Sequence, residues 1–213
     1  MHSAVDPLLV LILLLNFFLL GTSRLRAAVS GSALQGVLLG VLTIAVHGHL
    51  GLESVLIAAG AALIKGTVIP GLLFRALRDA AIRREIEPLV GYVPSLLLGA
   101  AATGTAIVFA GTLPLAPGGA GSLLVPASLA TVLTGFILLV TRRKAITQVV
   151  GYLVLENGIF IMGLTLVEAM PFLVEVGVLL DLFVGVFVMG IIINHIHREF
   201  SSLDTTRLSA LKE

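Results

Sequence analysis

Residues 122–167 read SLLVPASLATVLTGFILLVTRRKAITQVVGYLVLENGIFIMGLTLV. Two apolar runs, each close to the roughly 20 residues that cross a hydrocarbon core, are separated only by Arg142, Arg143 and Lys144. A basic turn between two such runs is the pattern of a transmembrane hairpin. Dividing the rest of the chain at its charged or Pro/Gly-rich breaks gives seven candidate spans, approximately 5–22, 28–46, 53–75, 89–112, 122–141, 145–167 and 172–196. The longest joints are the charged link Leu77–Pro88 and the turn Leu113–Gly121, where Pro114, Pro117, Gly118 and Gly119 oppose a continuous helix. This predicts an all-α integral membrane protein, a bundle of about seven transmembrane helices.

Loops on the cytoplasmic side carry the Lys/Arg excess. Arg24 and Arg26 lie between spans 1 and 2, and Arg75, Arg78, Arg83 and Arg84 lie at and after the end of span 3. Arg142, Arg143 and Lys144 separate spans 5 and 6, and Arg198, Arg207 and Lys212 follow span 7. Alternate loops therefore hold twelve of the thirteen basic residues. The expected orientation has the N-terminus outside and the C-terminus in the cytoplasm, with residues 201–213 as a cytoplasmic tail. No positive charge precedes the apolar run at residues 7–20, and Arg24 and Arg26 follow it, an order that favours a retained helix over a cleaved signal peptide.

Composition agrees. The chain of 213 residues is 58% hydrophobic and 12% charged, with mean hydropathy +1.13, against about 25% charged for an ordinary soluble domain. Net charge is +1, so no nucleic-acid partner is implied. The absence of cysteine excludes disulfides, thiolate catalysis and iron–sulfur clusters held by this chain. No phosphate loop, Ser/His/Asp constellation or nucleotide fingerprint occurs. The expected cofactor set of the chain itself is empty, and it is not expected to be catalytic alone.

Polar groups at membrane depth carry the functional reading. Lys65, the thirteenth basic residue, falls near the middle of span 3, where a charge costs at least ~2.5–3.5 kcal/mol. Snorkelling is a weak escape, because the nearest helix end is about ten residues or roughly 15 Å away. Glu156 in span 6 and Asp181 in span 7 sit at a similar depth. Lys65 and one acid can form a buried ion pair that only fixes packing. The three groups can also form a proton relay, since burial favours neutral forms and mutual attraction charged ones. Glu175 near the outer end of span 7, and His195 and His197 at its inner end, are interfacial residues or a proton entry and exit. His47 and His49 read as interfacial. Asn16 and Gln35 read as interhelical hydrogen-bonding groups, and the small residues at 27–32 and 99–105 as helix-packing surfaces. Pro70 and Pro94 are candidate kinks.

From Arg142 onward the sequence resembles the three-helix K subunit of respiratory complex I and its relatives in multisubunit sodium/proton antiporters. The likeness is carried by the basic turn, by Glu156-Asn157, by Asp181 with Gly185 four residues later, and by Asn194-His195-Ile196-His197-Arg198. In that family two helices each carry a mid-membrane glutamate serving proton translocation. Glu156 matches the first; Asp181 matches the second but is one methylene shorter. The implied organisation is an N-terminal five-helix region over 1–141 and a K-like region over 142–200 that pairs with span 5. With its four additional helices the whole chain is similar to hydrogenase-4 component E, a membrane subunit of group 4 nickel–iron hydrogenase and formate hydrogenlyase complexes. That resemblance implies a multi-pass inner-membrane subunit of an oxidoreductase complex. It places the nickel–iron centre and iron–sulfur clusters in partner subunits. The implied partners are antiporter-like and quinone-site-subunit-like membrane subunits and a peripheral hydrogenase module. The alternatives are a subunit of a sodium/proton antiporter without redox chemistry, and a purely structural membrane anchor.

Overall fold

A backbone in hydrocarbon must satisfy its own hydrogen bonds, so apolar runs of this length fold as helices. The computed structural model describes residues 5–47, 59–60, 62–79, 88–113 and 123–166. Within them lie α1 (Val5–Gly21), α2 (Leu25–His47), α3 (Ile69–Asp79), α4 (Tyr92–Thr112), α5 (Leu124–Thr141) and α6 (Ala145–Leu166), and α3 continues directly from a π-helical turn at Ile64–Val68. Of these, α2, α4, α5 and α6 are long and apolar enough to cross a membrane, and α1 is a shorter apolar helix. The seventh candidate span and the tail at 201–213 lie outside the described residues, as does His49.

Three basic turns meet at one end of the bundle. The Arg142 guanidinium, between α5 and α6, donates to the Leu20 carbonyl at the end of α1 and to the Val90 carbonyl just before α4. Arg26, at the start of α2, shares a cleft with Arg78 in the last turn of α3. At the opposite end Asp6, in the first turn of α1, accepts the Leu123 amide at the start of α5 (3.4 Å), covering one of the donors a helix N-terminus leaves open.

Between the two ends the core is layered. One apolar cluster, on the side of the basic turns, joins Leu19 and Leu20 of α1, Leu25 and Val29 of α2, Leu73 of α3, Leu138 of α5 and Val150 of α6, with neighbours. A second joins Leu9 and Ile12 of α1, Leu39 and Leu42 of α2, Ala127 of α5 and Ile161 of α6. Passing from one cluster to the other, α1 places Asn16, α2 places Gln35, α5 places Thr131 and α6 places Glu156 and Asn157, all buried. A polar layer is thus enclosed between two apolar ones.

The α5–α6 hairpin is the most closely packed pair. A β-carbon built on Gly135 of α5 would lie 2.5 Å from the Leu155 amide nitrogen of α6, a separation that only a missing side chain permits. Of the small residues of α2, Ala28, Gly31 and Ser32 are buried, whereas Ser30 faces outward. Those of α4 divide: Gly99 packs against Leu20, whereas Ala100, Ala101, Gly104 and Thr105 face outward.

The two prolines behave differently. Pro70 lacks the amide that would bond Gly66, and its ring crowds that carbonyl in an α-helix. The turn before it is widened, with the Ile69 amide bonding the Ile64 carbonyl five residues back, which accommodates the ring without ending the helix. Pro94 is no kink, because it sits in the first turn of α4, where an amide would have no intrahelical partner.

Gly135→Leu is expected to lower the thermal unfolding temperature of the purified protein substantially, since overpacking costs about 1–3 kcal/mol or more. Gly104→Leu, at a site where an added β-carbon meets nothing within 4 Å, is expected to change it little; equal effects would show that the hairpin contact is not the tight one.

Candidate functional site

The polar layer is built from residues that each helix delivers at the same height. Glu156 on α6 is 2% exposed, and its Oε1 lies 2.8 Å from Nζ of Lys65, whose side chain is 10% exposed. Lys65 occupies the second position of the π turn. The wider turn is where a helix can swing one side chain off its ordinary stripe. Here that side chain points between α2 and α6.

Its approach to the bundle is set by Gly36 of α2, where an added β-carbon would stand 2.7 Å from the Lys65 β-carbon. Phe160, one turn beyond Glu156 on the same face of α6, places its ring centroid 5.1 Å from Nζ. The ammonium is therefore held by a carboxylate on one side and an aromatic face on the other. The second carboxylate oxygen of Glu156, Oε2, is buried and has no hydrogen-bond partner among the described residues.

Asn157, the next residue, points about 100° around α6 and begins a separate ladder. Its Nδ2 donates to Gln35 Oε1 (3.4 Å). Gln35 Nε2 donates in turn to Asn16 Oδ1 (2.7 Å) and to the Ile12 carbonyl (3.3 Å). Asn16 Nδ2 donates to Thr131 Oγ1 (2.9 Å), and the Thr131 hydroxyl ends on the Ala127 carbonyl (2.7 Å). The donors all run one way, through groups that do not titrate, and stop at a backbone oxygen. Such a ladder orders α1, α2, α5 and α6 against one another without offering a proton relay.

Of the sequence-predicted site residues the structure brings Lys65 and Glu156 together. Asp181, Glu175, His195 and His197 lie outside the described residues. Asn16 and Gln35 make the interhelical hydrogen bonds expected of them. Arg142 is a residue whose place the sequence did not reveal: read only as a loop charge, it is 1% exposed. Its Nη2 is 2.6 Å from the Leu20 carbonyl and its guanidinium carbon 4.7 Å from the Tyr92 ring centroid. A cation on the last turn of a helix satisfies carbonyls that have no other partner and complements the helix dipole.

The chain is similar in sequence to two sets of known proteins. Over 195 residues, 89% of this chain and 87% of the relative, the sequence is 37% identical to the uncharacterized protein Rv0085 of Mycobacterium tuberculosis. The chain belongs to the Rv0085 family. Distant homology also runs the full length of Hydrogenase-4 component E, 28% identical to the Escherichia coli K12 and Shigella flexneri proteins over 98% of this chain and 97% of theirs. No family model matches the sequence, and no solved structure does. With its apolar helices and this homologue, the chain is a multi-pass membrane protein.

Removing one member of a buried ion pair typically costs about 3–5 kcal/mol, while replacing both by apolar groups is far cheaper. Lys65→Met and Glu156→Leu are each expected to destabilise the purified protein strongly, and the double variant by clearly less than their sum. Additive losses in a thermal-unfolding cycle would show that the two groups do not interact.

Proposed function

We propose that this chain is a membrane subunit of a multisubunit hydrogenase complex of the formate hydrogenlyase type. In this reading Lys65 and Glu156 contribute to proton translocation driven by redox chemistry in partner subunits. The observation that carries it is the buried Lys65–Glu156 pair at mid-depth, in a chain homologous along its whole length to a protein named as a hydrogenase component. Keeping two ionisable groups inside a bundle is costly, and such groups mark ion paths.

The roles divide by chemistry. Glu156 is the carrier: its buried Oε2, unpartnered among the described residues, is where a proton adds. A proton on Glu156 weakens its hold on Lys65 and removes one charge of the pair. Lys65, on its π turn, is the mobile partner that releases and recaptures the carboxylate. Asp181 serves as the second carrier, with Glu175 as outer entry and His195 and His197 as inner exit, on the strength of the sequence alone. The nickel–iron centre and iron–sulfur clusters belong to a peripheral hydrogenase module. Antiporter-like and quinone-site-like subunits flank the chain in the inner membrane, its N-terminus outside. A structural anchor is the competing reading, favoured by the direct contact of the ion pair, which satisfies both charges without transport.

Glu156→Gln, whose amide oxygen still accepts from Lys65, is expected to lower stability less than Glu156→Leu, to assemble, and to lose most proton translocation in membrane vesicles. In the Lys65→Met/Glu156→Leu variant, stability returns but translocation does not. Full translocation by that double variant in an intact complex would leave the pair a packing device. A mild-detergent pull-down of the tagged chain is expected to recover hydrogenase and iron–sulfur subunits. Antiporter-like subunits alone, with sodium-dependent transport, would replace the redox reading by the antiporter one.

A further inference from the structure

At the end of the bundle that gathers the basic turns, a cavity of about 310 Å³ is lined by Arg26, Phe74 and Arg78. Antiparallel neighbours form it: α2 begins there with Arg26 in its first turn, and α3 finishes there with Arg78 in its last. Both arginines are exposed, and among the described residues neither side chain makes an ion pair. Two guanidiniums lining one cleft, one of them beside the positive end of a helix dipole, give it a positive potential that favours an anion. Each presents a planar fork of donors that fits a phosphate better than any other common anion on a membrane.

The floor of the cleft decides the kind of anion. Phe74 is half-buried against the apolar cluster that contains Leu73 and Leu77. An occupant therefore meets charge at the mouth and hydrocarbon beneath, and the volume exceeds the ~30 Å³ share of a water molecule several times over. We propose that this cleft holds the headgroup of an anionic phospholipid, its phosphate between Arg26 and Arg78 and its glycerol end against Phe74. Basic pockets between transmembrane helices at the charged face of a bilayer have the chemistry for such headgroups. The proposal is independent of the hydrogenase reading, because it uses no residue of the polar layer.

The test is native mass spectrometry of the full-length protein, delipidated in detergent and titrated with phosphatidylglycerol, phosphatidylcholine or inorganic phosphate. Phosphatidylglycerol is expected to bind at least fivefold more tightly than phosphatidylcholine. Arg26→Gln/Arg78→Gln abolishes that preference. Arg24→Gln/Arg75→Gln, which removes the same charge from outside the cleft, preserves it. Equal binding of the two lipids by the unmodified protein overturns the proposal, as does equal loss in both double variants. Displacement of the lipid by millimolar inorganic phosphate would assign the cleft to a soluble anion and overturn it as well.

Discussion

Two charges held inside hydrocarbon must be held together, and the arrangement of this bundle follows from that requirement. Lys65 and Glu156 come from helices far apart in sequence, and their contact requires α2 to pass closely beside both. Gly36 permits the approach, and the π turn before Pro70 aims the lysine. Neither device would be worth its cost in a helix that buried only leucine. The apolar clusters above and below keep lipid and water away from the pair, and a charge pair is strong only when such screening is removed.

The amide ladder is the complement of the ion pair. Gln35, fully buried, accepts from Asn157 and donates to Asn16, so three helices are registered by one side chain. Because Asn157 adjoins Glu156, any slip of α6 along its axis breaks the ladder before it moves the carboxylate far. Amides on one side and a lysine held under an aromatic ring on the other give the carboxylate two unlike walls.

Much of this was legible in the sequence. Lys65, Glu156, Asn16 and Gln35 stand out because polar atoms are conspicuous in apolar runs, and helical rise alone puts Lys65 and Glu156 at one depth. Depth does not fix azimuth, so pairing was undetermined until the helices were placed. The π turn hides because Pro70 announces a disturbance but not its form. Pro94 misleads for the opposite reason, since only the true start of α4 shows its missing amide to be harmless. Arg142 was hidden by its own neighbourhood: in a run of three basic residues nothing marks the one that turns inward, and its target, the Leu20 carbonyl, has no sequence signature.

That inward turn has a consequence for how the molecule is made. The last carbonyls of α1 emerge early in synthesis, yet the guanidinium that satisfies one of them arrives 122 residues later. Asn16 waits almost as long for Thr131. Gln35 of α2 reaches the Ile12 carbonyl and the Asn16 oxygen early, but the Leu20 carbonyl and the Asn16 amide nitrogen wait for the α5–α6 hairpin. Among the described residues, the hairpin that carries Glu156 is also the piece that supplies these late partners of the first helix.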